Sequence, residues 1–235
     1  MKTPLGAARA QIKSALRAVD RVFHGPRNSL APDLWNLTDD PSSGLALKGV
    51  PLESLLRKWG SPLYVVDANS VRSHAQRFLS PNGAKTPCEV FFSYKTNPVP
   101  AVLRLLHDEG IGAEVISHYE LWLARTLGVP PDRIVYNGPG KSLESIRDAI
   151  LADVLIINAN HTEEIARIAA VALSLGRRPR IGIRVTTGEG WTSQFGVPVQ
   201  GGAALAAYTE ALSHEVLDVI GIHAHLGGMI RTQEA

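Results

Sequence analysis

EVFFSYKTNPVPAVLRLLHDEGIGAEVISHYEL, Glu89–Leu121, is the stretch whose reading decides the fold. EVFFSY (Glu89–Tyr94) has strand composition, Val102, Leu103 and Leu106 share one face of a helical pattern, and GAEVIS (Gly112–Ser117) is strand-like again. A strand, an amphipathic helix and a second strand make a parallel pair with a crossover. The same rhythm continues through IVYN (Ile134–Asn137), VLIIN (Val154–Asn158), RIGIRV (Arg180–Val185) and VIGIHAHL (Val219–Leu226). Between these runs lie the helical patterns Leu143/Ile146/Ile150 and Ile165/Ile168/Ala172/Leu175. The alternation predicts an α/β fold with six parallel strands. A doubly wound sheet and a (β/α)8 barrel both satisfy it.

Upstream, LYVVD (Leu63–Asp67) precedes a helical pattern at Ser70–Leu79 and reads either as a seventh strand or as part of another domain. Residues 24–50 are rich in Pro, Gly, Ser and Asp and read as an irregular lead-in. The first 23 residues carry a helical spacing, Ile12, Leu16, Val19 and Phe23, without the continuous apolar core of a signal peptide. The expected organisation is a helical extension and lead-in over 1–50 and a barrel-type domain over 51–235.

Composition narrows the function classes. Formal net charge is +2, and no dense Lys/Arg run or aromatic-interleaved basic patch argues for nucleic acid. No run approaches the roughly 18 apolar residues that cross a bilayer. Cys88 is the only cysteine, which excludes an intrachain disulfide and a cysteine-rich zinc site, and fits a reducing cytoplasm.

Lys95 follows FFSY directly, where a parallel strand gives way to its loop, and ligands of α/β folds bind at that edge. Apolar neighbours there would partly dehydrate the amine and favour the neutral form that attacks an aldehyde. By position alone it reads first as a solvated strand-end lysine. His223 and His225, two apart, share one face of their strand. That spacing also admits H-x-H metal ligation, but no third ligand is placed to complete a site, so no metal is expected. Gly138-Pro-Gly-Lys-Ser142 mimics the end of a phosphate loop, yet Val135 stands where that motif needs glycine, and the segment reads as a turn with Ser142 capping the next helix. Gly188-Glu-Gly190 lacks the third glycine of a dinucleotide fingerprint.

The segment FFSYKTNPVPAVLRLLHDEGIGAEVISHYEL resembles the cofactor-lysine region of the fold-type III pyridoxal-phosphate decarboxylases (diaminopimelate/ornithine decarboxylase-like), written Y-A-x-K-A-N followed by G-x-G-x-D-V-x-S-x-G-E-L. IVYNGPGKSLESIRDAI resembles that family's G-P-x-K-S turn and following helix, VLIINANHTEEIARIA its fourth unit, RIGIRV and SQFGVP its R-V-N and K-F-G elements, and GIHAHLGG its G-x-H-x-H-x-G-S strand. Six motifs fall in the family's order from about Ser61 onward.

The resemblance implies a partial (β/α)8 barrel, about six of eight strands, with the family's C-terminal β-domain absent. It implies pyridoxal 5'-phosphate as cofactor, Lys95 as its lysine, His225 stacked on the pyridine ring, Arg184 near cofactor and substrate, and Gly227 and Gly228 at the phosphate, where the family's serine hydroxyl is missing. Glu114, which replaces an Asp of several relatives, and Glu120 would belong to the shell around the substrate. Tyr119 stands for the family's glycine, and Gln194 for the K-F-G lysine. These departures sit in strand-end loops and point to altered substrate choice. The implied activity is decarboxylation of an amino acid, most like meso-diaminopimelate, by a cytoplasmic homodimer when full length, with no nucleic-acid or membrane partner. The chain itself is expected to be a fragment, poorly active and poorly soluble alone. A decarboxylase for another diamino acid, a non-catalytic single-barrel pyridoxal-phosphate carrier, and a metal hydrolase using His223 and His225 remain open alternatives.

Overall fold

The computed structural model describes residues 35–40, 44–80, 88–187 and 194–225. They fall into two compact units that meet in sequence between Val65 and Val66.

In the first unit, β1 (Leu37–Asp40) and β2 (Gly44–Leu47) form an antiparallel pair, β3 (Val50–Pro51) adds to β2, and α1 (Leu52–Trp59) follows. The lead-in read as irregular from its composition thus contains an ordered hairpin at 37–47. Four-residue strands such as LTDD are too short and polar to show alternation. LYVVD joins no ladder among the described residues. Its last residue instead caps α2 (Ala68–Leu79), Asp67 accepting from the Asn69 backbone N–H at 3.0 Å.

The second unit carries α2 and then the alternating pattern. In order come β4 (Phe91–Ser93), α3 (Pro100–Asp108), β5 (Gly112–Val115), α4 (His118–Thr126), β6 (Ile134–Tyr136), α5 (Leu143–Leu151), β7 (Ile156–Ala159), α6 (Thr162–Leu175), β8 (Arg180–Thr186), β9 (Val197–Pro198), α7 (Ala203–Ser213) and β10 (Asp218–Ala224). Six strands lie in the order β10-β8-β7-β6-β5-β4, with β9 beside β8, and every pairing is parallel. The strand-helix reading therefore holds for all six runs.

Helix residues pack against the central strands in one core, which is why these strands read as apolar runs. Ala113, Ile134, Ala159, Ile181 and Ile183 of the strands and Ile146, Ile165, Ile168 and Ala172 of the helices are wholly buried. Leu143 departs from its expected face and is 59% exposed. As the first residue of α5, just after the cap Ser142, it projects past the sheet's end. At the edge strand β10, Ile220 and Ile222 point outward and are exposed, whereas His223 faces inward.

Register decides what can meet. Ser93 pairs with Glu114, Asn158 with Gly182, and Arg184 with His223. Glycine at 182 is a steric requirement: an added Cβ would collide with Asn158 Oδ1 and lie 3.0 Å from Ile156 Cδ1. Gly182→Ala is expected to lower stability by about 1–3 kcal/mol through overpacking, read as a drop in the urea midpoint with an unchanged slope.

Candidate active site

Successive inward residues at the C-terminal strand ends build one cavity of about 580 Å3. β4 and the turn after it contribute Ser93 and Lys95, β5 and its loop Glu114 and Ile116, and the β6 loop Asn137 to Pro139. β8 and β10 bring Arg184, His223 and His225, and the β8–β9 loop brings Phe195. Lys95, Arg184, His225 and Glu114, all singled out in the sequence, thus share one cavity. Gly227 and Gly228 lie outside the described residues.

Two expectations need correction. Lys95 is exposed, so its apolar neighbours do not dehydrate it. It sits in the one-turn 3-10 helix Tyr94–Thr96 beyond the end of β4, on the open side of the cavity. Glu120 is buried but does not line the cavity. Its Oε2 accepts the Ile116 backbone N–H at 2.8 Å, while Ser117 Oγ accepts the Glu120 N–H at 3.2 Å. Together they satisfy donors at the start of α4. Burial raises the Glu120 carboxyl pKa, the Ile116 N–H draws it down, the Glu114 charge adds to the rise and Lys95 opposes it.

Glu114 is the anchor of a polar chain crossing four strands. Ser93 Oγ donates to Glu114 Oε2 in a short hydrogen bond, and Asn137 Nδ2 donates to Oε1 at 2.8 Å. Asn158 Nδ2 in turn donates to Asn137 Oδ1 at 2.6 Å. Arg184 lies over the Phe195 ring at 4.8 Å and reaches Asn160 Oδ1 at 3.4 Å. Gly196 allows this approach: with φ +81° it packs against the Arg184 backbone, where a Cβ would stand 3.1 Å from the carbonyl oxygen. Burial lowers the Arg184 pKa, and the Glu114 charge counters that.

Sequence reasoning missed the support beneath these groups. Lys141, in the turn whose pattern mimics a phosphate loop, is wholly buried and pairs with buried Glu164 at 3.1 Å. Its Nζ also donates to the carbonyls of Gly138 at 2.8 Å and Asn158 at 2.7 Å. Glu164 Oε2 accepts the Asn160 N–H at 2.7 Å. Ser142 caps α5 as expected, accepting from Ser145 N. Asn137 and Asn158 had a visible signal, since each ends an apolar run at an equivalent place. Nothing local announces the pairing of Lys141 with a glutamate 23 residues on.

His223, read in the sequence as sharing a strand face with His225, lines the cavity with it. Its Nδ1 is closed off from solvent and has no hydrogen-bond partner among the described residues. Burial, then the positive charges of Arg184, His225, Lys141 and Lys95, take its pKa from the ordinary 6.5 to about 4. Among the described residues no three of His, Cys, Asp or Glu are grouped to hold a metal ion. No helix there is long and apolar enough to cross a membrane.

A cavity of cationic and hydrogen-bonding side chains at the strand ends of a parallel sheet belongs to the α/β proteins that hold small anionic ligands there. A family model described as pyridoxal-dependent decarboxylase, pyridoxal binding domain, matches residues 68–235. Diaminopimelate decarboxylase of Aquifex aeolicus is 34% identical over 198 residues, taking in 79% of this chain and 46% of that protein. The Mycobacterium tuberculosis (strain H37Rv) diaminopimelate decarboxylase is 30% identical over 214 residues, 86% of this chain and 47% of that one. The crystal structure of the M. jannaschii diaminopimelate decarboxylase in co-complex with L-lysine superposes with a TM-score of 0.77 at 27% identity, over 83% of this chain and 48% of that one. The chain spans about half the length of the curated relatives it matches. It belongs to the pyridoxal-dependent decarboxylase family, through the pyridoxal-binding domain, and its parallel sheet is the front part of that family's barrel.

The residues present fit pyridoxal phosphate. Lys95 offers an amine to its aldehyde, and Arg184 and two imidazoles offer positive charge or donors to an anionic, aromatic ligand. Glu114, the one carboxylate on the cavity wall among the described residues, is already hydrogen-bonded to Ser93 and Asn137. His223 Nδ1 still lacks a partner among the described residues.

Two outcomes follow for the full-length protein. Lys141→Met leaves the Glu164 charge buried and unpaired, and should cost about 3–5 kcal/mol in urea unfolding, with partial recovery in a Lys141→Met/Glu164→Leu double variant. In an unfolded chain His223 takes a proton near pH 6.5, whereas the folded ring stays neutral to about pH 4. Stability is therefore full above pH 6.5 and falls as pH drops toward 4. His223→Gln should make that fall shallower when urea midpoints are compared across this range.

Proposed function

We propose that the full-length protein is a pyridoxal-phosphate-dependent amino-acid decarboxylase acting on meso-diaminopimelate or a closely related diamino acid, with Lys95 holding the cofactor. The observation that carries this reading is the single cavity joining Lys95 to Arg184, His223 and His225 at the C-terminal strand ends of the pyridoxal-binding domain. Diaminopimelate decarboxylases at 30–34% identity over four fifths of the chain support the substrate class.

Bound pyridoxal phosphate supplies an aldehyde that condenses with amines and a ring that accepts the electron pair left when CO2 departs. The chain's residues orient and balance this chemistry. Lys95, exposed at the cavity, would hold the cofactor through Nζ and give way to the substrate's amine. His225 at the end of β10 offers its ring face for stacking. Arg184, steadied by Phe195 and Asn160, supplies a fixed positive charge, and Glu114 balances it across the cavity. His223, kept neutral by burial, offers a hydrogen-bonding atom without adding a further charge. Backbone N–H groups of Gly227 and Gly228 are assigned to the phosphate. Tyr119, exposed beside the cap of α4, and Gln194 are the departures from the family pattern that bear on which diamino acid is accepted. The reading extends to a homodimer in the cytoplasm, with residues 1–50 as an extension to the cofactor-binding part.

The test is borohydride reduction of the full-length protein with pyridoxal phosphate, followed by peptide mapping. Label on Lys95, and its loss in Lys95→Ala together with a fall of several orders of magnitude in CO2 release from diaminopimelate, is the expected result. An unlabelled Lys95 overturns the assignment.

A further inference from the structure

We propose that Tyr94 and His107 are positioning residues that aim Lys95 into the cavity through one buried hydrogen bond. The inference rests on the reading of Lys95 as the cofactor's lysine.

Side chains alternate as β4 runs into its terminal turn. Ser93 and Lys95 face the cavity, whereas Tyr94 between them points the opposite way and is wholly buried. Tyr94 is therefore the residue through which the lysine-bearing turn grips the body of the domain. Its hydroxyl meets His107 Nε2, on the last turn of α3, at 2.6 Å. The other ring nitrogen, Nδ1, lies 2.8 Å from the Ile111 carbonyl oxygen. A carbonyl only accepts, so Nδ1 carries the proton, Nε2 is the bare acceptor, and Tyr94 O–H donates. The direction of the whole relay is thereby fixed: Tyr94 to His107 to Ile111, from the turn after β4, through α3, to the residue before β5.

Burial favours the neutral form of both groups. Burial, then the Glu120 charge, pushes the Tyr94 hydroxyl pKa well up, and burial is the main influence pulling His107 down. The rings lie 5.8 Å apart and tilted, so packing reinforces the bond.

The Tyr94 ring also packs into the main core, and two further hydrogen bonds hold the turn among the described residues. Thr96 Oγ1 donates to the Ser93 carbonyl at 2.7 Å and Asn97 N–H to the Tyr94 carbonyl at 3.1 Å, but both bonds lie within the turn itself. They fix its shape without fixing its orientation on the sheet. Ser93, bonded to Glu114, holds the strand side. The Tyr94–His107 bond holds the side facing α3. Without it the turn can rock, and an exposed lysine loses the preset direction that lowers the entropic cost of capturing its partner.

The experiment uses the full-length protein, with Tyr94→Phe, His107→Leu, the double variant, and His107→Gln, whose amide oxygen can still accept from Tyr94. Three quantities are read: the dissociation constant for pyridoxal phosphate by fluorescence, borohydride-trapped label at Lys95 by peptide mapping, and Tm of the cofactor-free protein. Positioning predicts about tenfold weaker cofactor binding in Tyr94→Phe and in His107→Leu, no further loss in the double variant, and near-normal binding in His107→Gln. A lowered Tm with unchanged cofactor affinity reduces the pair to a packing contact and overturns the proposal. Additive losses in the double variant, or no rescue by His107→Gln, do so as well. Should Tyr94→Phe fail to fold, the contrast between His107→Leu and His107→Gln decides alone. Absence of label at Lys95 in the unaltered protein signals failure of the underlying assignment instead.

Discussion

A lysine and a glutamate taken wholly out of water hold the cavity wall together. Lys141 spends its donors on Glu164 and on the carbonyls of Gly138 and Asn158, which stand at the ends of two neighbouring strands. Glu164 closes the clasp through the Asn160 N–H, and Asn160 in turn reaches Arg184. Buried ion pairs contribute little net stability, because desolvation offsets attraction, yet breaking one is severe. Such a pair penalises every arrangement of the loops except the one that satisfies it. The loops after β6 and β7 are therefore held by charge rather than by apolar packing, at the edge where the cavity needs polar atoms.

That division explains what was legible in the sequence. Strands packed into a core must be largely apolar, so EVFFSY, GAEVIS, IVYN, VLIIN, RIGIRV and VIGIHAHL declared themselves, and parallel pairing followed from the crossovers. Lys95 was legible because it follows such a run, and Arg184, Glu114 and His225 because the motifs around them resemble the family's. The exposure of Lys95 was not, since dehydration depends on which segments lean over it and not on its chain neighbours. Glu120 misled for a related reason: a carboxylate in a conserved-looking motif can serve a ligand or a helix terminus, and only the position of the Ile116 N–H tells which. Hydrogen bonds such as Asn137 to Glu114 join residues 23 apart, and no short window contains both.

The two tyrosine-sized features around β4 and β6 show how one sheet serves two environments. Tyr94 and Tyr136 are both buried, and burial raises the hydroxyl pKa of each. Residues one step along the same strands meet the cavity instead. A change of a single position in register would exchange these sets, presenting phenols to the ligand and burying charges in the core. The glycine at 182, which admits Asn158 beside it, helps fix the register that avoids this.

Glu114 has both carboxylate oxygens occupied, one by a hydroxyl and one by an amide. Each oxygen keeps a further lone pair, so the two donors do not exhaust the carboxylate but fix its orientation. Its negative charge is thereby held stationary, where it counters the Arg184 guanidinium.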